Sequence, residues 1–256
     1  MRDLRLLGFQ VVQFAKVPYF VQTLITVTLT AVLLQWLLSN AFGTVSGADQ
    51  LVWMRAGIVG SWSLTCTAAG ILGFQRYQGV LASLVFSPVG AIRSLFPVII
   101  SCVVFGMLAF PLALGFAAVL GFPVGFGNGW LAAVALTMFF CGSALLALCI
   151  ALFFMLTPNA LTYEALVTMP VVLLAGIFGY PEVTKPVLEP IGTLIPIGTP
   201  IRLLEAAVLQ RELATAEVLP ILIAWGVGVI VCGLALTLLT RVVLRRVSRV
   251  GSLEVQ

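Results

Sequence analysis

SLFPVIISCVVFGMLAFPLALGFAAVL, residues 94–120, and WLAAVALTMFFCGSALLALCIALFFML, residues 130–156, lie in one run from Ser94 to Tyr163 that holds no charged side chain. About 20 helical residues cross the hydrocarbon core of a bilayer, so a run this long holds two spans and the turn between them. Phe122-Pro123 and Gly125-Phe126-Gly127-Asn128-Gly129 supply that turn. The rest of the chain agrees. Of its 256 residues, 61% are hydrophobic and 9% charged, where a soluble domain carries about 25% charged residues. The mean hydropathy is +1.19. These values predict an all-α integral membrane protein with a single domain, residues 1–256, and no room for a large soluble domain beside it.

Working outward from the uncharged run, six spans are expected near 20–42, 51–73, 92–120, 130–156, 161–180 and 218–241. Six spans put both ends of the chain on one side. The basic residues choose that side: Arg2, Arg5, Lys16, Arg76, Arg93, Arg241, Arg245, Arg246 and Arg249 fall in one set of connecting segments, and only Lys185, Arg202 and Arg211 in the other. The positive-inside rule therefore predicts a multi-pass protein of the cell membrane (inner or plasma) with both termini cytoplasmic. Residues 3–18 stand apart. Arg2, Arg5, Gln13 and Lys16 fall near one helical face; Leu4, Leu7, Val11, Phe14 and Ala15 fall near the other. This pattern predicts a helix lying in the membrane interface, bent at Pro18 into the first span. Gln10, Gln13 and Lys16 interrupt any signal-peptide core, so the first span is expected to direct insertion.

Several chemistries are excluded by composition. There is no histidine, and Asp3 and Asp49 are the only aspartates. That removes histidine-dependent hydrolysis and clustered-aspartate metal catalysis. No Gly-x-x-x-x-Gly-Lys loop cradles a phosphate. Cys66, Cys102, Cys141, Cys149 and Cys232 lie in apolar segments without a Cys-x-x-Cys pair and read as small buried hydrophobes rather than metal ligands. The basic residues cluster at the chain ends, an anchoring pattern and not a nucleic-acid one. The chain is thus expected to be neither an enzyme nor a holder of any cofactor or metal. Arg55 and Glu164 are the ionisable residues inside spans. Arg55, a turn inside span two, either snorkels to the outer interface or meets a substrate or partner. Glu164 suits a helix start. Gly57, Gly60, Ser61, Ser63 and Thr65 either allow close packing of span two or line a pathway.

Two stretches are half-polar. QRYQGVLASLVFSP, residues 75–88, falls between spans two and three, with an apolar stripe at Leu81, Leu84 and Val85 closed by Pro88. Such a helix lies on lipid or docks into a groove of a soluble partner. Residues 181–217 hold prolines at 181, 186, 190, 196 and 200. Irregular backbone of this kind cannot face lipid and must pack on protein, as two short helices dipping back into the outer leaflet would. Arg202 and Glu205, three apart, are placed to pair on one helix face.

The first stretch resembles the cytoplasmic motif of type-2 ABC (ABC-2) exporter permeases, with Val80 where threonine is usual and Gln75 and Gln78 where acids are common. MPVVLLAGIF, residues 169–178, and LIPIGTPIRLLEAA, residues 194–207, resemble that family's fifth span, outer hairpin and lead-in to span six, with Thr199-Pro200 in place of Asn-Pro. The resemblance implies a coupling helix between spans two and three, seated in an ATPase cleft through Arg76, Tyr77, Gln78, Gly79, Leu81, Leu84 and Pro88. It implies an outer hairpin carrying Pro200, Arg202 and Glu205. Arg55, Trp62, Gly176 and Phe178 become candidates for the pathway or the subunit interface. Two ABC ATPase subunits, which bind ATP and Mg, and a second permease subunit, identical or homologous, would complete an exporter within membrane lipid. The aromatic and methionine side chains of the spans suit a hydrophobic or amphipathic cargo: an antibiotic or other drug, a peptide or a lipid. The alternatives are an ATPase-independent carrier or channel, which calls for inverted repeats and midplane charges that the sequence lacks, or a membrane scaffold or immunity subunit.

Overall fold

The computed structural model describes residues 2–42, 48–77, 91–156, 166, 169–210 and 215–250. Its elements are helical. α1 (Arg2–Lys16) ends at Val17, and α2 (Pro18–Phe42) begins on the proline, whose fixed φ and missing N–H suit a first helical position. The rings of Phe14 and Phe20 meet edge to face at 4.9 Å across this corner. A 3-10 turn (Ala48–Leu51) leads into α3 (Val52–Tyr77).

α4 (Ala91–Gly106) and α5 (Ala109–Val119) are two pieces of one apolar span, Phe96–Val119, broken at Met107–Leu108. Pro111 explains the break: its ring clashes with the carbonyl four residues back, that of Met107. α6 (Gly129–Leu156) follows the turn. Asn128 caps it, its side-chain oxygen accepting the Leu131 N–H at 3.1 Å. After a helical stretch over 169–174 come α7 (Lys185–Leu194), α8 (Gly198–Val208) and α9 (Thr215–Val250).

Among the described residues, four helical segments are long and apolar enough to cross a membrane: Pro18–Ala41, Phe96–Val119, Gly129–Leu156 and Val218–Val243. They coincide with the expected first, third, fourth and sixth spans. Of the expected fifth span, 157–165 and 167–168 lie outside the described residues. The expected second span, near 51–73, is α3, a helix of 26 residues, whose side chains are described over 52–67. α3 packs against α2, α4, α5 and α6. Trp53, Met54, Ile58, Trp62 and Leu64 are each at most 1% exposed. The small residues of α3 serve this packing: a Cβ on Gly60 would strike the Thr28 hydroxyl on α2 and come within 2.9 Å of Ala109 on α5.

The outward helices show the reverse pattern. Only 17% of the α2 window and 6% of the α9 window are buried in the chain, and Leu34, Leu37, Ile230 and Leu234 stand exposed. Faces like these belong against lipid tails or another apolar surface. α1 is not merely laid on a surface. It packs on α4, and the Ser101 hydroxyl there donates to the Leu7 carbonyl at 3.3 Å. The cysteines differ from expectation at one place: Cys66 and Cys102 are buried, Cys149 and Cys232 intermediate, but Cys141 is exposed, on an outward face of α6.

The contact at Gly60 sets a stability test. Gly60→Leu is expected to destabilise the chain by about 1–3 kcal/mol, the usual cost of overpacking. Gly115→Leu on α5, where a Cβ meets nothing within 4 Å, should be neutral or better. Thermal melting of the two variants in the same detergent decides this; equal midpoints would show that α2, α3 and α5 are not closely packed at Gly60.

Candidate functional site

Two features stand out at the end of the bundle where α3 begins: a groove and a bent hairpin. The groove, about 690 Å³, lies between α2, the first turns of α3 and residues 169–178. Its α2 wall carries Val27, Ala31, Leu34 and Leu38; Met169 and Phe178 lie across from them. Its polar lining residues are Thr26, Thr30, Gln35, Ser39, Asp49 and Arg55. The Gln35 amide donates to the Ala31 carbonyl at 3.1 Å and to the Val52 carbonyl at 3.4 Å. The Nε of Arg55 is buried with no hydrogen-bond partner. Among the described residues Arg55 makes no ion pair, although the charge of Glu205 on α8 reaches it.

The hairpin is α7 and α8, which meet at 105°. Its apex, Ile195–Ile197, is wedged between α6 and α9. Breaking a helix in apolar surroundings leaves carbonyls that need donors, and the Trp225 indole N–H on α9 donates to the Pro196 carbonyl at 3.0 Å. The wedge fits because α6 and α9 each place a glycine against it. A Cβ at Gly142 would strike the Pro196 carbonyl, and one at Gly228 the Leu194 carbonyl. Pro200 is buried in the first turn of α8, where a proline costs no helical hydrogen bond.

The expected pairing of Arg202 with Glu205 is not what forms. Arg202 reaches across the hairpin to Glu189 on α7, 3.1 Å from its carboxylate and 3.1 Å from its backbone carbonyl. Glu189 offers two acceptors in one place, which a single carboxylate along the helix face does not. The guanidinium also lies 6.0 Å from the Tyr180 ring centre, and the Tyr180 hydroxyl donates to the Leu174 carbonyl at 2.6 Å. Gly176 takes the left-handed conformation (φ +72°), which favours glycine, and its turn brings Phe178 to the groove.

The groove thus unites Arg55 and Phe178. Gly176 shapes the approach to it. Trp62 lies fully buried inside the chain, away from the groove lining. Arg76 and Tyr77 end α3. Gln78, Gly79, Leu81, Leu84 and Pro88 lie outside the described residues, as does Glu164. Sequence reasoning missed Gly142, Gly228, Trp225 and Glu189. The one available signal was Trp225: an indole N–H in an uncharged span needs an acceptor, and the break at Pro196 provides one.

Residues 4–209, from α1 through α8, match the family described as ABC-2 type transporter. The chain belongs to that family. No curated protein and no solved structure matches it. Membership, with the four apolar helical segments, makes this a membrane-embedded ABC-2 transporter chain, of the kind that works with ABC ATPase subunits.

A double-mutant cycle tests the hairpin pairing. Arg202→Ala combined with Glu189→Ala should show a coupling of about 0.2–1 kcal/mol, the range for partly exposed ion pairs. Arg202→Ala with Glu205→Ala should be additive. Coupling confined to Glu205 in thermal melts would overturn the assignment.

Proposed function

We propose that this ABC-2 chain is the transmembrane subunit of an ATP-driven exporter. The observation that carries the reading is the family match, which runs unbroken from α1 to the end of α8. In this reading the chain has six spans with α1 at the cytoplasmic interface, both termini cytoplasmic, and the hairpin on the outer side. A second permease subunit, identical or homologous, completes the pathway. Two ATPase subunits bind ATP and Mg and dock on residues 76–88. α3 supports this arrangement because it joins the docking segment to the groove in one unbroken helix. Closure of the ATPases would shift α3 as a rigid body among its neighbours, opening the path outward. The sparse charge and the apolar residues of the groove favour a hydrophobic or amphipathic cargo (an antibiotic or other drug, a peptide or a lipid). ATP hydrolysis belongs to the partner subunits, and this chain binds no cofactor.

The test is co-purification with the partner ATPase and hydrolysis in lipid nanodiscs. The intact chain is compared with a variant carrying Arg76→Ala, Tyr77→Ala, Leu81→Ala and Leu84→Ala. Truncating anchors of a docking helix costs more than about 1 kcal/mol each, so ATPase binding should weaken at least about tenfold and hydrolysis should fall with it. A variant that binds and hydrolyses like the original rules out this segment as the coupling element.

A further inference from the structure

Arg55 is the group that the exporter reading leaves without a task. Its Nε is buried and lacks an acceptor. A cation held partly out of water without a partner is unfavourable, and a ligand that supplies an anion removes the penalty. Two acids stand nearby and neither is an ion-pair partner: Glu205, whose charge reaches Arg55, and Asp49, which lines the same groove. Together the two acids disfavour a head with several negative charges.

Much of the remaining lining is apolar. Val27, Ala31, Leu34 and Leu38 follow one another along α2, interspersed with Thr26, Thr30, Gln35 and Ser39, and from first to last the four apolar residues run about 16 Å. One unpaired cation beside such a lining is complementary to one anion on a hydrocarbon chain. We propose that the groove binds an amphiphile with a single anionic charge on its head, a phosphodiester or a carboxylate, its head on Arg55 and its tail along α2. A guanidinium suits either head, since it can donate two parallel charge-assisted hydrogen bonds. The inference rests on the exporter reading in one respect: there, this amphiphile is the cargo class.

The experiment is equilibrium binding of radiolabelled dodecanoate to the full chain in nanodiscs of neutral lipid, with empty discs subtracted and no ATPase present. Unlabelled dodecanoate and dodecyl methyl phosphate, a singly charged phosphodiester, should compete alike. Inorganic phosphate, dodecanol and dodecyltrimethylammonium should compete at least about tenfold less well, since each lacks the tail, the anion or its sign. Arg55→Gln should weaken binding about 10–100-fold, the worth of a charged hydrogen bond, while Arg55→Lys should retain more of it. Thr30→Trp fills the α2 wall and should weaken binding with Arg55 intact, which guards against an Arg55 variant that fails to fold. Binding by Arg55→Gln within twofold of the intact chain overturns the proposal. So does equal competition by dodecyltrimethylammonium, and so does equal competition by inorganic phosphate, which would indicate a free-anion site. Because no ATPase is present, a failure here removes only the cargo class. Intact binding beside a failed ATPase docking test would remove the exporter reading and leave the groove.

Discussion

The enclosure of α3 is the constraint on which the other features depend. α2, α4, α5 and α6 surround this helix, and its large side chains, Trp53, Ile58 and Trp62, are closed off from the outside. Enclosure works only if the backbones come near, and Gly60 against Thr28 and Ala109 shows how near. Dispersion between interlocked side chains, rather than transfer out of water, holds helices together in lipid. A helix gripped on all sides can also afford polarity that an outer helix cannot. Hence Arg55 sits at its start, while the outward helices α2 and α9 carry almost no charge through their lipid-length segments.

The hairpin answers a different demand. Its helix axis turns through 105°, and the turn exposes carbonyls where water is scarce. The solution comes from three elements at once: the Trp225 N–H meets the Pro196 carbonyl, and the glycines at 142 and 228 clear the space. The ion pair of Arg202 with Glu189 then ties α8 to α7. α8 also touches the 3-10 turn ahead of α3. The hairpin, the start of α3 and the groove wall are therefore one connected assembly, in which Glu205 and Arg55 feel each other's charge.

Much of this was legible in the chain itself. The uncharged run 94–163 marked two spans and their turn to within a residue or so, because turn residues such as Asn128, which caps α6, act locally; the break at Met107–Leu108 ahead of Pro111 was not expected. The clustered prolines of 181–200 marked the hairpin for the same reason. What could not be read was partnership at a distance. Arg202 and Glu205 have good helical spacing, but spacing along one helix says nothing of a carboxylate thirteen residues earlier on another. Gly142 and Gly228 look like unremarkable small residues until a carbonyl from a third element rests on them. Arg55 was visible as an unusual charge, and Phe178 as an aromatic after a glycine turn. That they share a groove follows from how α2, α3 and 169–178 come together, which no periodicity encodes.

α3 joins two places whose chemistry is unlike. At one end Arg55 borders an apolar groove; at the other the helix closes with Arg76 and Tyr77. Between Arg55 and Tyr77 lie about 33 Å of continuous helix. Such a helix is stiff along its axis, so displacement at one end arrives at the other with little loss. It cannot bend freely in between, because four neighbours interlock with it and close-packed surfaces change by discrete shifts rather than gradual deformation. A force applied at Tyr77 must therefore move α3 with some of those neighbours, and the contact that yields first is the one with least interlocking. At the groove, open volume adjoins the contact between α3 and α2, which there includes the Gln35 amide on the Val52 carbonyl. Any axial shift of α3 changes that volume and the position of Arg55 within it, so the groove is the place where motion of this helix becomes a change in what the chain can hold.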